Sequence, residues 1–558
     1  MAGARLVSRA AAAAQRPASA AAPAGASGLS SRARAAWLAG YAVLTFLSFP
    51  HPVGDRVVDL GTPLAFLAPA ALWLGIRGLA PGAALRTGFL AGLAAHAFVL
   101  HWIYVVTVTY GHAWPPIGVV AVLLLAAYVA AFTALVAAGS AWLAARRADA
   151  PLALAALWTA ADHLRSFAFT GFPWATLGYA LHADAPLRAL APWTGVYGLS
   201  FAAALGGASL TALAQGRRRA AAAGGAALLA LHAAGAGLLA ADAPREAARV
   251  PVAVLQGNID QGQKWSPAFA EETMRIYEDL TRRAAARGAR VVAWPETAVP
   301  GSPDVDRRLR ERLAALAREV GATLVVGAVG VDGYDPARAG GRRALSYFDS
   351  AYAIDPARGF VDRYDKAHLV PFGEYVPLRD LIGRFVKAVA TGIAAGDVSP
   401  GARPRAVALP GAAPGGGDLP VGIPICYELL FPDLMRRFAA DGARVLLAVT
   451  NDAWYGRTGA PHQFLVMTAL RSAETRRWTA RAANTGVSAL IDERGAVRSR
   501  TRIFERDLLV GEVELAAPDE PPTFYVRHGD VFAAACWAGL GAALWIGARR
   551  RGGGAASR

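Results

Sequence analysis

Cys426 stands in "VGIPICYELLFPD", residues 421 to 433, directly after an apolar run and directly before a tyrosine and a glutamate. The chain has 558 residues and only two cysteines; the other, Cys536, lies in an apolar stretch near the C-terminus. Glu296 in "AWPETAVP" and Lys366 in "VDRYDKAHLVPFGEYVP" stand in similar settings, each after an aliphatic run. A thiol is the best side-chain nucleophile near neutral pH once a neighbour takes its proton, and a carboxylate such as Glu296 can take it. An ammonium such as Lys366 holds a thiolate and stabilises the oxyanion of a tetrahedral intermediate, alongside a backbone N–H near Cys426. Together the three types suit acyl transfer. Taken singly, each has a plainer reading: a buried small hydrophobe, a solvated lysine, a turn.

Positioning three such groups requires elements that end near one another. Between residues 242 and 529 short aliphatic runs alternate with amphipathic ones: "VPVAVLQ" (250–256), a helical stretch near 268–287, "ARVVAW" (289–294), a helix near 304–319, "ATLVVGAV" (322–329), "AYAID" (351–355), "LPVGIPI" (419–425), "ARVLLAV" (443–449), a helix near 461–479 and "GVSALID" (486–492). Such alternation predicts an α/β domain. Glu296, Lys366 and Cys426 each follow a predicted strand, and residues at strand ends converge on the crevice where open α/β sheets bind ligands. The Gly-, Pro- and Ala-rich stretch 392–418 reads as a mobile surface loop.

The rest of the chain is apolar. Hydrophobic residues make up 55% and charged residues 18%, more apolar than a soluble protein of this length. Seven apolar stretches are read in the first 241 residues, at about 35–50, 62–76, 88–108, 117–145, 150–168, 189–214 and 220–241, with an eighth at about 530–548. Several approach the roughly 20 residues that a bilayer requires, and most lack the polar stripe of a soluble helix. The net charge of +16 is spread without the basic and aromatic interleaving of a nucleic-acid surface, so no nucleic-acid partner is expected. Arginines mark every second connection: Arg32 and Arg34, Arg77 and Arg86, Arg146 and Arg147, Arg217 to Arg219, Arg549 to Arg551. By the positive-inside rule both termini are cytoplasmic and the block 242–529 faces outward. The organisation expected is a disordered cytoplasmic tail (1–34), a transmembrane domain (35–241), an outer catalytic domain (242–529), a last span (530–548) and a short cytoplasmic tail (549–558).

"WPETAVP", "YDKAHLVPFGEYVP", "ICYELLFPD" and "TNDAWYGRTGAPHQF", in this order, resemble the nitrilase superfamily and specifically its membrane-embedded branch, the apolipoprotein N-acyltransferases. "GFPWATLGYA" (171–180), "VLQGNIDQGQKW" (254–265) and "TFYVRHGD" (523–530) extend the likeness from about residue 35 to 548. The resemblance implies a polytopic membrane domain of about eight helices plus a nitrilase-like α/β sandwich (αββα) with a Glu296-Lys366-Cys426 triad. It implies transfer of a fatty acyl chain from a glycerophospholipid, phosphatidylethanolamine by expectation, through a Cys426 thioester to the α-amine of the S-diacylglyceryl cysteine of an apolipoprotein. It further implies a multi-pass monomer in a bacterial inner membrane with a periplasmic catalytic domain.

By the same likeness Glu374 and Glu428 are supporting carboxylates that position Lys366, with solvated surface charge as the alternative. Tyr427 and Trp265 line an acyl or headgroup pocket, with plain core packing as the alternative. Two positions depart from the pattern: Asp349, where the family commonly has asparagine, and Phe464, where histidine is expected after Gln463. Asp162, His163 and Arg165 close the fifth predicted span, either as a functional group or as an ion pair stapling a helix end. His96 and His101 have no partner spacing for a metal, and neither metal nor cofactor is expected. A membrane-tethered amidohydrolase acting on small amides, and a non-catalytic scaffold or transporter, are the competing readings. In the acyltransferase reading the outer loops, including 392–418 and the arm from Lys366 to Pro377, act as lids.

Overall fold

The computed structural model describes residues 29–54, 56–242, 247–264, 266–333, 345–377 and 398–552. Trp265, the N-terminal tail up to residue 28 and residues 392–397 lie outside the described residues.

The N-terminal half is helical: α1 Ser31–Leu47, α2 Gly61–Gly75, α3 Pro81–Val99, α4 Pro115–Ala144, α5 Pro151–Arg165, α6 Val196–Ala214 and α7 Arg218–Ala241. Proline opens α3, α4 and α5, where its missing N–H would find no intrahelical acceptor and its fixed φ suits the first turn. Close packing of α3 on α4 depends on small residues: a Cβ at Gly88 would lie 2.4 Å from the Ala137 methyl, and one at Gly92 would lie 2.8 Å from Thr133. By length and composition α3, α4, α6, α7 and the C-terminal helix beginning at Val531 are able to cross a membrane, while α2 is apolar but shorter. Leu90, Phe98, Ile117, Leu124 and Leu229 are exposed on these helices, as lipid-facing side chains are.

Three boundaries differ from the sequence reading. Residues 31–34, expected in a disordered tail, form the first turn of α1, capped by the Ser30 hydroxyl. The third predicted span, 88–108, ends at Val99 and continues through a short turn, Trp102–Tyr104, into a π-helical turn, Val105–Tyr110, where a run of β-branched residues crowds regular α geometry. The sixth, 189–214, is preceded by a short turn, Ala185–Arg188, and opens with another, Ala191–Thr194, broken from α6 by Gly195 at φ +61°.

After a two-stranded hairpin, β1 His51–Val53 and β2 Arg56–Val58, the remaining strands form two six-stranded mixed sheets. The first contains β3 Arg249–Gln256, β4 Val291–Ala293, β5 Thr323–Asp332, β6 Ser346–Asp355, β7 Gly359–Asp365 and β14 Asp507–Glu514. The second contains β8 Ala406–Leu409, β9 Leu419–Gly422, β10 Val445–Thr450, β11 Thr479–Ala483, β12 Ala489–Ile491 and β13 Val497–Arg500. Each sheet centres on three parallel strands, β3-β4-β5 and β9-β10-β11, flanked by antiparallel ones.

Period-two alternation divides β3 between two cores. Val250, Val252 and Val254 face the second sheet, whereas Ala253 and Leu255 face helix α8 (Pro267–Ala286) and helix α9 (Arg307–Val320) with Met274, Tyr277, Leu280 and Leu316. Helices α10 (Pro432–Ala440) and α11 (Ala460–Thr475) cover the other sheet, giving four layers. Strands β7, β8, β11, β13 and β14 had no counterpart in the sequence reading; the helix expected near 461–479 ends at Thr475, and β11 (Thr479–Ala483) starts at its expected last residue. The described part of 392–418 contains an edge strand, β8, paired antiparallel with β9, and not a loop alone; its glycine-rich composition belongs to the turn between them.

α11 is buried almost throughout and lies between the second sheet and the membrane helices. Gln463 on it accepts from Trp174 Nε1 at 2.8 Å, and Glu474 accepts from the Val196 N–H at 2.8 Å. Beneath β10, Arg481 and Asp452 form a fully buried ion pair at 2.8 Å. Removing one partner strands the other charge in the interior. Arg481→Met is therefore expected to destabilise the fold by about 3–5 kcal/mol, read as a lowered thermal midpoint of the detergent-solubilised protein.

Candidate active site

The carboxyl ends of β4, β9, β10 and β11 meet at one rim, and the residues that follow them face one another. Glu296 sits in a turn after β4 in which Thr297 adopts φ +44°. Gly327 of β5 permits this turn, since a Cβ there would lie 2.2 Å from the Pro295 carbonyl oxygen and 2.6 Å from the Thr297 nitrogen. Lys366 follows β7 directly, and Cys426 opens a 3₁₀ turn, Cys426–Leu430, four residues beyond the end of β9. Cys426 has φ +46°, a conformation that costs a non-glycine residue on the order of 1 kcal/mol and is characteristically retained at functional sites.

Lys366 is 1% exposed and donates to three carboxylates: Glu374 at 2.5 Å, Glu296 at 3.2 Å and Asp349 at 3.2 Å. Burial alone would push its ammonium down, but the Glu374, Glu296 and Asp349 carboxyls outweigh that and hold it well above the usual lysine range. Among the described residues those three carboxyls are the one acidic group close enough to ligate an ion, and the cation between them is this ammonium. All three of its protons are engaged, so Lys366 acts here as a fixed positive charge.

Burial would raise Glu296, yet the Lys366 ammonium first, and after it the Asp349 side chain, the Lys264 ammonium and the Cys426 thiol beside it, together hold it below the ordinary carboxylate range. The Cys426 thiol is pushed well up by burial and by the Glu296 carboxylate, with Lys366 and the Asn451 N–H pulling in the other direction. The resting pair is thus a protonated thiol beside an ionised carboxylate. That is the starting state for general-base activation of the nucleophile.

Glu374 and Glu428 are not solvated surface charges. A tight turn at Phe372, φ +62°, brings Glu374 back to Lys366, while its other oxygen accepts from the Val370 N–H at 2.8 Å. Glu428 is fully buried and accepts from the N–H groups of Ile425 and Ala367, at 2.8 Å and 2.7 Å, and from the Tyr364 hydroxyl at 2.7 Å. It ties the Lys366 segment to the Cys426 turn. Burial pushes its carboxyl up to about 7 despite these donors. The arm after Lys366 is anchored at its root by these bonds.

Tyr427 packs against Phe431 and His368, and its hydroxyl donates to the Gly171 carbonyl of the membrane half at 3.3 Å. That loop, 166–177, is held by Arg165, which pairs with Asp162 at 3.2 Å and donates to Thr176 Oγ1 at 3.1 Å, while Asp162 accepts from the Leu177 N–H. His163 instead faces Asp530 at 3.4 Å. Phe464, one of the two departures, is buried against Trp174 and beneath Arg481. Asp349, the other, belongs to the Lys366 cluster.

Sequence reasoning missed Lys264, although "QGQKW" was in view. Lys264 is buried and donates to the Glu296 carbonyl at 3.0 Å and to Thr297 Oγ1 at 2.6 Å, bracing the turn that carries Glu296. It also missed Asn451, which follows β10, and Tyr455, which packs on Trp102 and Trp174. None had a spacing that singled it out.

Two outcomes follow for nucleophile reactivity. Glu428→Gln puts an amide NH2 against backbone donors and is expected to slow acylation of Cys426 by at least about a hundredfold, measured by mass spectrometry against time. Burial pushes Lys264 down to about 8, so its charge is present below that pH and is lost as pH rises through it. The acylation rate is expected to fall across that range, and Lys264→Met to abolish this basic limb while lowering the rate about tenfold at neutral pH.

Residues 41–209 match the family model "Apolipoprotein N-acyltransferase N-terminal domain", and residues 251–520 match "Carbon-nitrogen hydrolase". The chain is 39% identical to the apolipoprotein N-acyltransferase of Geobacter metallireducens over 91% of its own length and 94% of that protein's. It is 36% identical to that of Pseudomonas syringae pv. tomato, covering 81% and 86%, and 36% identical to that of Azotobacter vinelandii, covering 85% and 89%. Among solved structures, an amidase of the nitrilase superfamily from Nesterenkonia AN1 aligns with 53% of this chain and 98% of its own at 20% identity, with a TM-score of 0.36. With its membrane helices and its carbon-nitrogen hydrolase fold both matched, and with relatives similar over nearly the whole length, the chain belongs to the apolipoprotein N-acyltransferase family.

Proposed function

We propose that this protein transfers a fatty acyl group from a membrane glycerophospholipid to the N-terminal S-diacylglyceryl cysteine of apolipoproteins, by way of a thioester on Cys426. The observation that carries this reading is the position of the nucleophile. Tyr427, next to Cys426, hydrogen-bonds the loop that also carries Phe172 and Trp174, so the thiol lies where the catalytic sandwich meets apolar helices. An enzyme of soluble amides has no need of that junction, whereas one acting on acyl chains does, because the chains remain in an apolar medium while the ester reaches the thiol.

In the first half-reaction the Glu296 carboxylate takes the Cys426 proton and the sulfur attacks the ester carbonyl. The charge of Lys366 and a backbone N–H of the Cys426 turn stabilise the oxyanion. The C–O bond then breaks, and the departing lysophospholipid alkoxide takes the proton held by Glu296. In the second, the apolipoprotein α-amine gives a proton to Glu296 and its nitrogen attacks the thioester carbonyl. The amide forms, the C–S bond breaks and the thiol is restored.

Phosphatidylethanolamine is the proposed donor, and the protein is proposed to act as a single chain. Eight helices, the five long apolar ones together with α1, α2 and α5, would place both termini in the cytoplasm and the sandwich in the periplasm, in keeping with the arginines at alternate connections.

Intact-protein mass spectrometry after incubation with phosphatidylethanolamine tests the reading. Expected is a gain of one fatty acyl mass, labile to neutral hydroxylamine, absent from Cys426→Ser and discharged by a diacylglyceryl-cysteine peptide that becomes N-acylated. A folded protein that gains no adduct yet releases ammonia from small amides would favour the amidohydrolase reading instead.

A further inference from the structure

Glu296, Asp349 and Glu374 crowd three carboxyls, two buried and one half-buried, around one ammonium, with oxygens of all three within 4.8 Å of one another. Two negative charges at such range in a dry site cannot both persist without compensation. Lys366 and Lys264 supply two positive charges, so the group balances only if one carboxyl is neutral. The hydrogen bonds say which one. Glu374 accepts from Lys366 and from the Val370 N–H. Glu296 accepts from Lys366, and Lys264 is fastened to its own backbone. Asp349 accepts from Lys366 on Oδ2 alone; its Oδ1 is buried with no donor to receive. An oxygen so placed is satisfied if it carries a proton and donates, and the neighbouring acceptor is Glu296.

We infer that Asp349 is a neutral carboxylic acid in the resting enzyme and donates a hydrogen bond to Glu296, making it a positioning residue that keeps the catalytic base ionised and aimed at Cys426. The charged and titratable groups around Asp349 are Glu296, Lys366, Glu374, Lys264 and, through Glu296, Cys426. Burial and the two glutamates raise Asp349 well above the usual carboxylate range, with Lys366 opposing them, in keeping with a proton held there. The proton stays on the Asp349–Glu296 pair while Glu296 cycles the Cys426 proton, so no further acid or base is required.

The inference rests on Glu296 as the base, and its test has an arm that needs no turnover. The infrared difference spectrum of wild type minus Asp349→Asn at neutral pH is expected to show a protonated carboxyl C=O band in the wild type that the variant lacks. Kinetically, wild-type Asp349 is uncharged where Glu296 titrates. The acid limb of the acylation rate is therefore expected to stay within about half a pH unit in Asp349→Asn, with the rate about threefold lower, because an amide N–H is a weaker donor than a carboxylic acid. In Asp349→Ala the donor is gone and the limb should move up by about one unit. A missing infrared band, or an acid limb that falls in Asp349→Asn because a neighbouring negative charge has been removed, overturns the inference. If Asp349→Ala does not fold, the Asp349→Asn comparison and the infrared band still decide. If no phospholipid adduct forms in any variant, the acyl-transfer reading fails while the band continues to report on Asp349.

Discussion

An ammonium with no exposure to water, Lys366, is the constraint around which the catalytic half is arranged. Taking a charge out of water costs several kcal/mol unless partners replace the lost hydration. Here the partners come from three separate places: Glu296 after β4, Asp349 on β6, and Glu374 on a turn that doubles back eight residues after the lysine. Burying the cation therefore fastens the ends of the first sheet and the root of the arm together. Glu428, by accepting from the backbone on both sides, adds the second sheet to the same knot. The nucleophile's left-handed backbone is held because the residues on either side of it are held.

The electrostatics of the thiol follow from this arrangement. Isolated in the same pocket, Cys426 would be an inert buried thiol. Beside it stands a carboxylate whose ionised form the surrounding cations favour, so the proton has a destination at the moment of attack. In the proposed reaction the oxyanion meets positive charge already fixed in place. Preorganisation of this kind is bought with burial of polar groups, and their satisfaction by Lys264, Asn451 and the Asp452–Arg481 pair is why so many residues behind the site are polar and inaccessible.

The catalytic sandwich and the membrane helices share a boundary that is neither loose nor purely apolar. Helix α11, buried on nearly every side, receives hydrogen bonds from Trp174 and from the first turn of α6. The loop carrying Phe172 and Trp174 is clamped by Asp162 and Arg165, and Tyr427 reaches across to it. Movement of that loop would be felt one residue away from the nucleophile. The ionisable pair at the end of α5 is thus part of the joint between the two halves.

Much of this was legible in the residues themselves. Apolar runs and the punctuation of arginines mark the membrane helices because the bilayer is a solvent that excludes charge over a fixed thickness. Aliphatic runs mark the central parallel strands other than β11, because these are buried on both faces; β11, with the sequence TARAA, carries a buried arginine and was not legible. The motif order around Glu296, Lys366 and Cys426 carried the family likeness. The edge strands β7, β8, β13 and β14 were not legible, since one face of each is exposed or short and their composition resembles that of turns. Lys264 was unreadable for another reason: a lysine in a polar segment looks solvated until the fold closes over it. The chemical types available and the alternation of elements are set by local composition and could be read along the chain. That three acids share one ammonium, with Asp349 among them, emerges from the folded arrangement, because charge compensation in a buried site depends on distances between segments far apart in the chain.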